Sequence, residues 1–303
     1  MMYRMIEEYN GIQYQISDNK RWLYNIRNDR MIVSEHYLEN YLQDIENPEN
    51  PLHDFYSSSY RRGKLTNFHF IRIILESSKI KLFYKISLFL NKWYLTLFML
   101  ITSFVLLPSL LRIVSVDPSH FSLAQFSFWD MAMIYLVTTT IVLPLHEYAH
   151  FSVYYKYLKP SKVTFGFSLR YFSMPVFFIK VPFYKILKGK KRNELVLAGV
   201  KFQVAIWFFL TLLTMIYPSK FLIGLIIVNI GLIITNLLPF LKLDGYWYLS
   251  NLLGVEDYMI YFEAMFSQKK KFRLDVCLLG LINFAMIILS IIKLVFDIMR
   301  YFM

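Results

Sequence analysis

The sequence predicts an α-helical polytopic membrane protein with about five transmembrane helices. A membrane-associated β-hairpin and a small N-terminal cytosolic α+β region complete the expected fold. Three observations predict it. The chain of 303 residues is 56% hydrophobic, with a mean hydropathy of +0.41, which is more apolar surface than a soluble core of this size uses. The apolar residues gather into segments long enough to cross a bilayer. The Lys and Arg residues behind the net charge of +12 cluster beside those segments. That placement points to loops against anionic lipid, so the lipid bilayer is an expected partner and nucleic acid is not.

Residues 1–92 are polar and of mixed charge, and are expected to form a cytosolic region ahead of a transmembrane domain at 93–303. Ile12-Gln13-Tyr14-Gln15-Ile16 alternates, Asp18-Asn19-Lys20 signals a turn, and Trp22 to Ile26 follows before a second turn at Asn28-Asp29. This reads as a β-hairpin or meander. Ser34 is expected to cap a helix over 35–45, ended by Asn47-Pro48 and Asn50-Pro51. Strands followed by a helix resemble the start of small peptide-binding domains from modified-peptide biosynthesis; a cytosolic cap on the membrane part is the other reading. His36, His53 and His69 have no partner at ligand spacing and read as ordinary polar residues. From Arg61 to Lys92 basic side chains alternate with Phe, Ile and Leu, which predicts an amphipathic helix on the inner leaflet and a cytoplasmic N-terminus. No apolar core follows a basic start in this region, so no cleavable signal peptide is expected.

The spans are expected at 93–114, 129–155, 195–217, 221–238 and 276–294, giving a multi-pass cell-membrane protein with its C-terminus outside. Trp93-Tyr94 anchors the first span, and Pro108 is expected to kink it. The stretch 115–128 carries no Lys or Arg, as an outer loop should. Between 161 and 186 the pattern turns β-branched and aromatic, with interrupting Pro and Gly. This predicts a membrane-dipping hairpin, with an irregular interfacial loop as the alternative. Cys277, the one cysteine, lies in an apolar segment; intrachain disulfides and thiolate-rich zinc sites are excluded.

Chemistry concentrates at the end of the second span, in Leu143-Pro144-Leu145-His146-Glu147-Tyr148-Ala149-His150. Four residues apart on a helix, His146 and His150 project from one face, the spacing at which two imidazoles share one tetrahedral zinc. Glu147 lies beside them, placed to act as a general base without being a ligand. Ionisable groups within a membrane segment are costly and mark function. Lys156 follows His150 by six residues, which puts the metal about 9 Å below the inner surface. A third ligand is needed, and Asp244 is the candidate, at the same end of the fourth span. Gly245 lets the backbone turn closely there, and Pro239 interrupts the helix. Asn236 is placed to hydrogen-bond a substrate strand or an oxyanion.

His-Glu-x-x-His at His146–His150, followed by Asn-x-x-Pro-x-x-x-Leu-Asp-Gly at Asn236–Gly245, resembles the site-2 protease family of intramembrane zinc metalloproteases. The likeness covers the core, 129–247. Ala198-Gly199 resembles the opening of the family's middle core helix, with Val200 where a Pro is usual, and no segment reads as a PDZ domain. Leu-Asp-Gly-Tyr-Trp is closer to peptide zinc metalloproteases encoded beside peptide-modification and export genes. The resemblance implies a three-helix core and one Zn2+ held by His146, His150 and Asp244, with Glu147 activating water. It also implies a membrane-embedded or amphipathic peptide as substrate, with modification or export machinery as partners. Two other functions stay open: a non-proteolytic immunity or export-accessory protein, and a regulatory protease acting on an anti-sigma factor.

Overall fold

Turn residues shape the first element. Asn10-Gly11 and Asp18-Asn19 all carry positive φ, the backbone that tight two-residue hairpin loops require. They join β1 (Glu7–Tyr9), β2 (Ile12–Ser17) and β3 (Lys20–Asn25); with β4 (Arg30–Ser34) these form a four-stranded antiparallel meander. The computed structural model describes residues 6–57, 67–114, 126–170, 174–267 and 269–302. One face of the meander, carrying Ile12, Tyr14 and Leu23, is closed by α1 (Glu39–Gln43) and α2 (His53–Ser57) through Leu42 and Phe55. Helix α1 is much shorter than the 35–45 expected. Ser34 belongs to β4, paired with Arg21, and its hydroxyl accepts the His36 N–H instead of starting a helix.

The amphipathic helix expected between Arg61 and Lys92 is corrected by the structure. Asn67–Glu76 forms a strand, β5, and only the remainder is helical, in α3 (Ser77–Ile80), a 3-10 turn (Lys81–Phe83) and α4 (Tyr84–Leu90). Ile71, Ile73 and Ile74 favour extended backbone, and the partner strand lies far along the chain. β5 pairs antiparallel with β6 (Lys162–Arg170), which pairs with β7 (Met174–Lys180). The expected hairpin is therefore present as two strands of a three-stranded sheet. Arg61, Arg62 and Lys64 lie outside the described residues.

Among the described residues, four helices are long and apolar enough to cross a membrane: Trp93–Ile113, Phe128–Leu158, Ala198–Ile216 and Lys220–Leu237. We label the first α5 and the last two α9 and α10. α5 exposes Phe98, Ile101, Phe104 and Val105, the surface expected of a helix surrounded by hydrocarbon. The loop expected at 115–128 lies, up to residue 125, outside the described residues. The fifth expected span falls in one helix, α13 (Leu274–Phe302).

The 31-residue second helix changes pitch midway. α6 (Phe128–Val137) starts on a capping box between Ser127 and Asp130, a π turn spans Thr138–Val142, and α7 covers Leu143–Leu158. Pro144 supplies the cause. Its ring would collide with the carbonyl of Thr140 in a regular α-helix, and the wider turn relieves the collision. α7 ends at Lys159, whose φ of 44° is a left-handed cap.

α7 is also where the two sheets meet the membrane helices. Phe151, Val153, Tyr154 and Leu158 are fully buried against Tyr24 and Ile26 of β3 and its following turn, Ile179 of β7, and Phe183. Burying each such side chain contributes about 1.5–3 kcal/mol. Ion pairs ring this core: Lys180–Asp29 at 2.6 Å, Lys188–Asp18 at 2.6 Å, and a contact between Lys162 and Glu8. The N-terminal meander thus sits on the back of α7, and the division at residue 92 falls between segments that share one core. A second core joins α5, α9 and α10 through Met99, Trp207 and Ile226.

Candidate metal centre

Three elements converge on one point. α7 carries His146 and His150; α8 (Lys190–Val196) leads into α9 beside them; and α11 (Asp244–Leu252) begins at Asp244, after α10 has ended. The helical spacing of the two histidines brings their Nε2 atoms to 3.2 Å. Asp244 Oδ2 lies 3.4 Å from His146 Nε2 and 3.4 Å from His150 Nε2. This triangle has the dimensions of a zinc site, because two ligands about 2.0–2.1 Å from one tetrahedral centre are roughly 3.3–3.4 Å apart.

The protonation pattern fits a cation as well. His150 Nδ1 is 2.8 Å from the Leu195 carbonyl, so the proton belongs on Nδ1 and Nε2 keeps its lone pair. That lone pair faces another imidazole nitrogen. Asp244 Oδ2 is buried without a hydrogen-bonding neighbour. Without a cation, burial would raise the Asp244 carboxyl, but His150 and His146 in their protonated form outweigh it and hold the group below the usual carboxylate range. Two nitrogen donors and an anionic oxygen aimed at each other, with no thiolate, are a donor set that could hold a metal ion. Among the described residues, His146, His150 and Asp244 form the one group of this kind.

Glu147 stands just outside the triangle. Its Oε1 is 3.9 Å from His146 Nε2, and its Oε2 accepts the Ile179 N–H at 2.9 Å. That donor comes from β7, the edge strand nearest α7. The direction of the bond shows which way β7 faces. Ile179 N–H points away from β6, so by the two-residue period the backbone groups of Phe177 point the same way. Pro175 shares that parity and has no N–H to offer, as suits a sheet edge.

A cavity of about 570 Å³ surrounds the four residues. Its apolar wall includes Phe177, Phe178, Leu232 and Trp247. Asn236 also lines it, and its amide donates to Gln203 Oε1 at 3.1 Å. Gly245 packs against α10: a Cβ there would lie 2.1 Å from the Leu237 carbonyl oxygen, so this glycine closes the turn that aims Asp244. His36 and His53 are not in the cavity wall.

Three participants had no sequence signature, and a fourth had only a partial one. Ile179 and Leu195 act through backbone groups, which no side chain announces. Gln203 became relevant only through Asn236. Gly199 lies against the His146 ring, where a Cβ would be 2.3 Å from Cε1; its place after Ala198 was visible, its contact was not. Comparison with protein-family models, curated proteins and solved structures gives no match.

Proposed function

We propose that the chain is an intramembrane zinc metalloprotease of the site-2 type, hydrolysing a peptide bond of a membrane-inserted or amphipathic peptide. The observation that carries this reading is the triangle of His146, His150 and Asp244 with the Glu147 carboxylate just beside it. A non-catalytic metal site has no use for that fourth group. The matching order of the two motifs supports the family assignment.

His146, His150 and Asp244 would hold a zinc ion, which would supply Lewis acidity to lower the pKa of water to about 7 and polarise a carbonyl. The Ile179 N–H fixes one oxygen of Glu147, leaving Oε1 to take the proton of the attacking water. Glu147 then returns that proton to the departing amine as the C–N bond breaks. A helical substrate hides its peptide bonds in its own hydrogen bonds, so it must unwind to be cut. The free edge of β7 offers the Phe177 N–H and carbonyl to an unwound strand, and the apolar wall receives its side chains. Asn236 lines the cavity, and its carbonyl oxygen would accept from that strand's backbone while its amide donates to Gln203.

Basic residues following α7, and those between α12 (Tyr258–Phe266) and α13, favour an orientation with the metal near the cytoplasmic face and the N-terminal meander inside. α13 would make the fifth crossing. The test uses purified full-length chain in detergent, incubated with membrane peptides, with new termini read by mass spectrometry. The wild type should generate termini that Glu147→Gln lowers by ~10²–10⁴-fold. Identical products from both proteins would overturn the protease and favour an accessory role.

A further inference from the structure

The loop that delivers Asp244 has little to hold it on its own account. α10 stops at Leu237, and α11 starts at Asp244. Between them Lys242 has a φ of 24°, a left-handed conformation that a lysine keeps only when its surroundings impose it. What imposes it comes from further along the chain, beyond both sequence motifs.

Asp257 precedes α12 and grips the loop from one side. Its Oδ2 accepts from Lys242 Nζ at 2.9 Å, and its Oδ1 accepts from the Tyr246 hydroxyl. The same Oδ1 accepts the Met259 and Ile260 N–H groups at 3.0 and 3.1 Å, so the carboxylate is fixed to the start of the helix it caps. Tyr258 grips from the other side. Its hydroxyl donates to the Pro239 carbonyl at 2.7 Å and accepts from the Asn283 amide of α13 at 2.6 Å. Tyr258 and Tyr246 are fully buried, and their rings stack with centroids 4.5 Å apart. Pro239 carries no N–H, so its carbonyl is its one backbone handle, and Tyr258 holds it.

Resting on the metal-centre reading above, we infer that Asp257 and Tyr258 are positioning residues for Asp244. They pin the loop at Pro239, Lys242 and Tyr246, on both sides of the ligand, and thereby set the Oδ2 position that completes the triangle. The metal centre then depends on α12 and α13, although neither supplies a ligand.

The test is metal affinity and coordination, which need no substrate. Full-length chain is stripped of metal in detergent. Zinc affinity is measured by competition with a chromophoric chelator, and the visible spectrum is recorded with Co2+ in place of zinc. Asp257→Asn keeps the cap of α12, because Asn also caps well, but weakens the bonds to Lys242 and Tyr246. Tyr258→Phe removes the Pro239 anchor. Each should weaken zinc by about 10-fold or more, the range seen when groups that orient ligands are lost, and should shift the Co2+ bands. Tyr24→Phe removes a hydroxyl-to-carboxylate bond of the same kind, to Asp29 in the meander, and should leave affinity and spectrum at wild type. If Tyr258→Phe does not fold, Asp257→Asn decides alone. Wild-type affinity and spectrum in the folded loop variants would overturn the positioning role and leave the metal centre standing. A wild-type chain that binds neither Zn2+ nor Co2+ would overturn both.

Discussion

At His146 the ring has no slack. Gly199 of α9 is its neighbour, and a methyl group there would enter the imidazole. Gly199→Ala should therefore cost about 1–3 kcal/mol, as overpacking does. It should also turn the ring out of the triangle and weaken zinc. Thermal melts of metal-free chain and zinc titration of the same samples check both effects; unchanged values in both would mean the ring does not rest on Gly199. The triangle itself was legible in the sequence, since helical spacing alone sets His146 against His150, and Asp244 follows an interrupted helix. Gly199 was legible only as a member of a pair. Its function depends on the approach of two helices, which no local pattern encodes.

Among the elements, β7 couples the sheet to α7. The bond from Ile179 to Glu147 uses one outward N–H, and Phe177 holds the next. Phe177→Pro should remove that donor while keeping the β6–β7 pairing, because the lost group faces away from β6. Zinc content should stay at wild type while cleavage falls; Phe177→Ala, which keeps the N–H, reports the side chain's own share. Equal cleavage by the Pro and Ala variants would remove β7's edge from substrate binding. The β6–β7 hairpin could be read from its β-branched and aromatic run. β5 could not, because it lies inside the basic stretch from Arg61 to Lys92, which as a whole reads as a surface helix, although the strand itself carries one arginine, Arg72. Its pairing partner, β6, lies beyond two membrane helices. The short α1 has a similar cause: Ser34 looked like a cap locally, but its pairing with Arg21 had already placed it in a strand.

At the scale of the molecule, meander, three-stranded sheet and α7 share a core, which includes Phe151 at 0% exposure. Phe151→Ala should destabilise the chain by about 3–5 kcal/mol. The loss should be felt on both sides of the contact. Hydrogen exchange should accelerate in β2 and β3 of the meander as well as in α7. Acceleration in α7 alone would mean the meander is an independent unit. Composition announced the membrane helices, because length and apolarity are properties of single segments. The docking of the meander was hidden, since it rests on contacts between residues such as Tyr24 and Phe183 that are far apart in sequence.

The claim on which the rest depends is a zinc ion at the His146–His150–Asp244 triangle, and metal analysis of purified chain tests it most directly. The wild type should carry about one zinc per chain, and Glu147→Gln the same, because that residue is no ligand. His150→Ala and Asp244→Ala should each lose most of it. Full occupancy in both ligand variants, or no zinc in the wild type after purification with zinc present, would contradict the account.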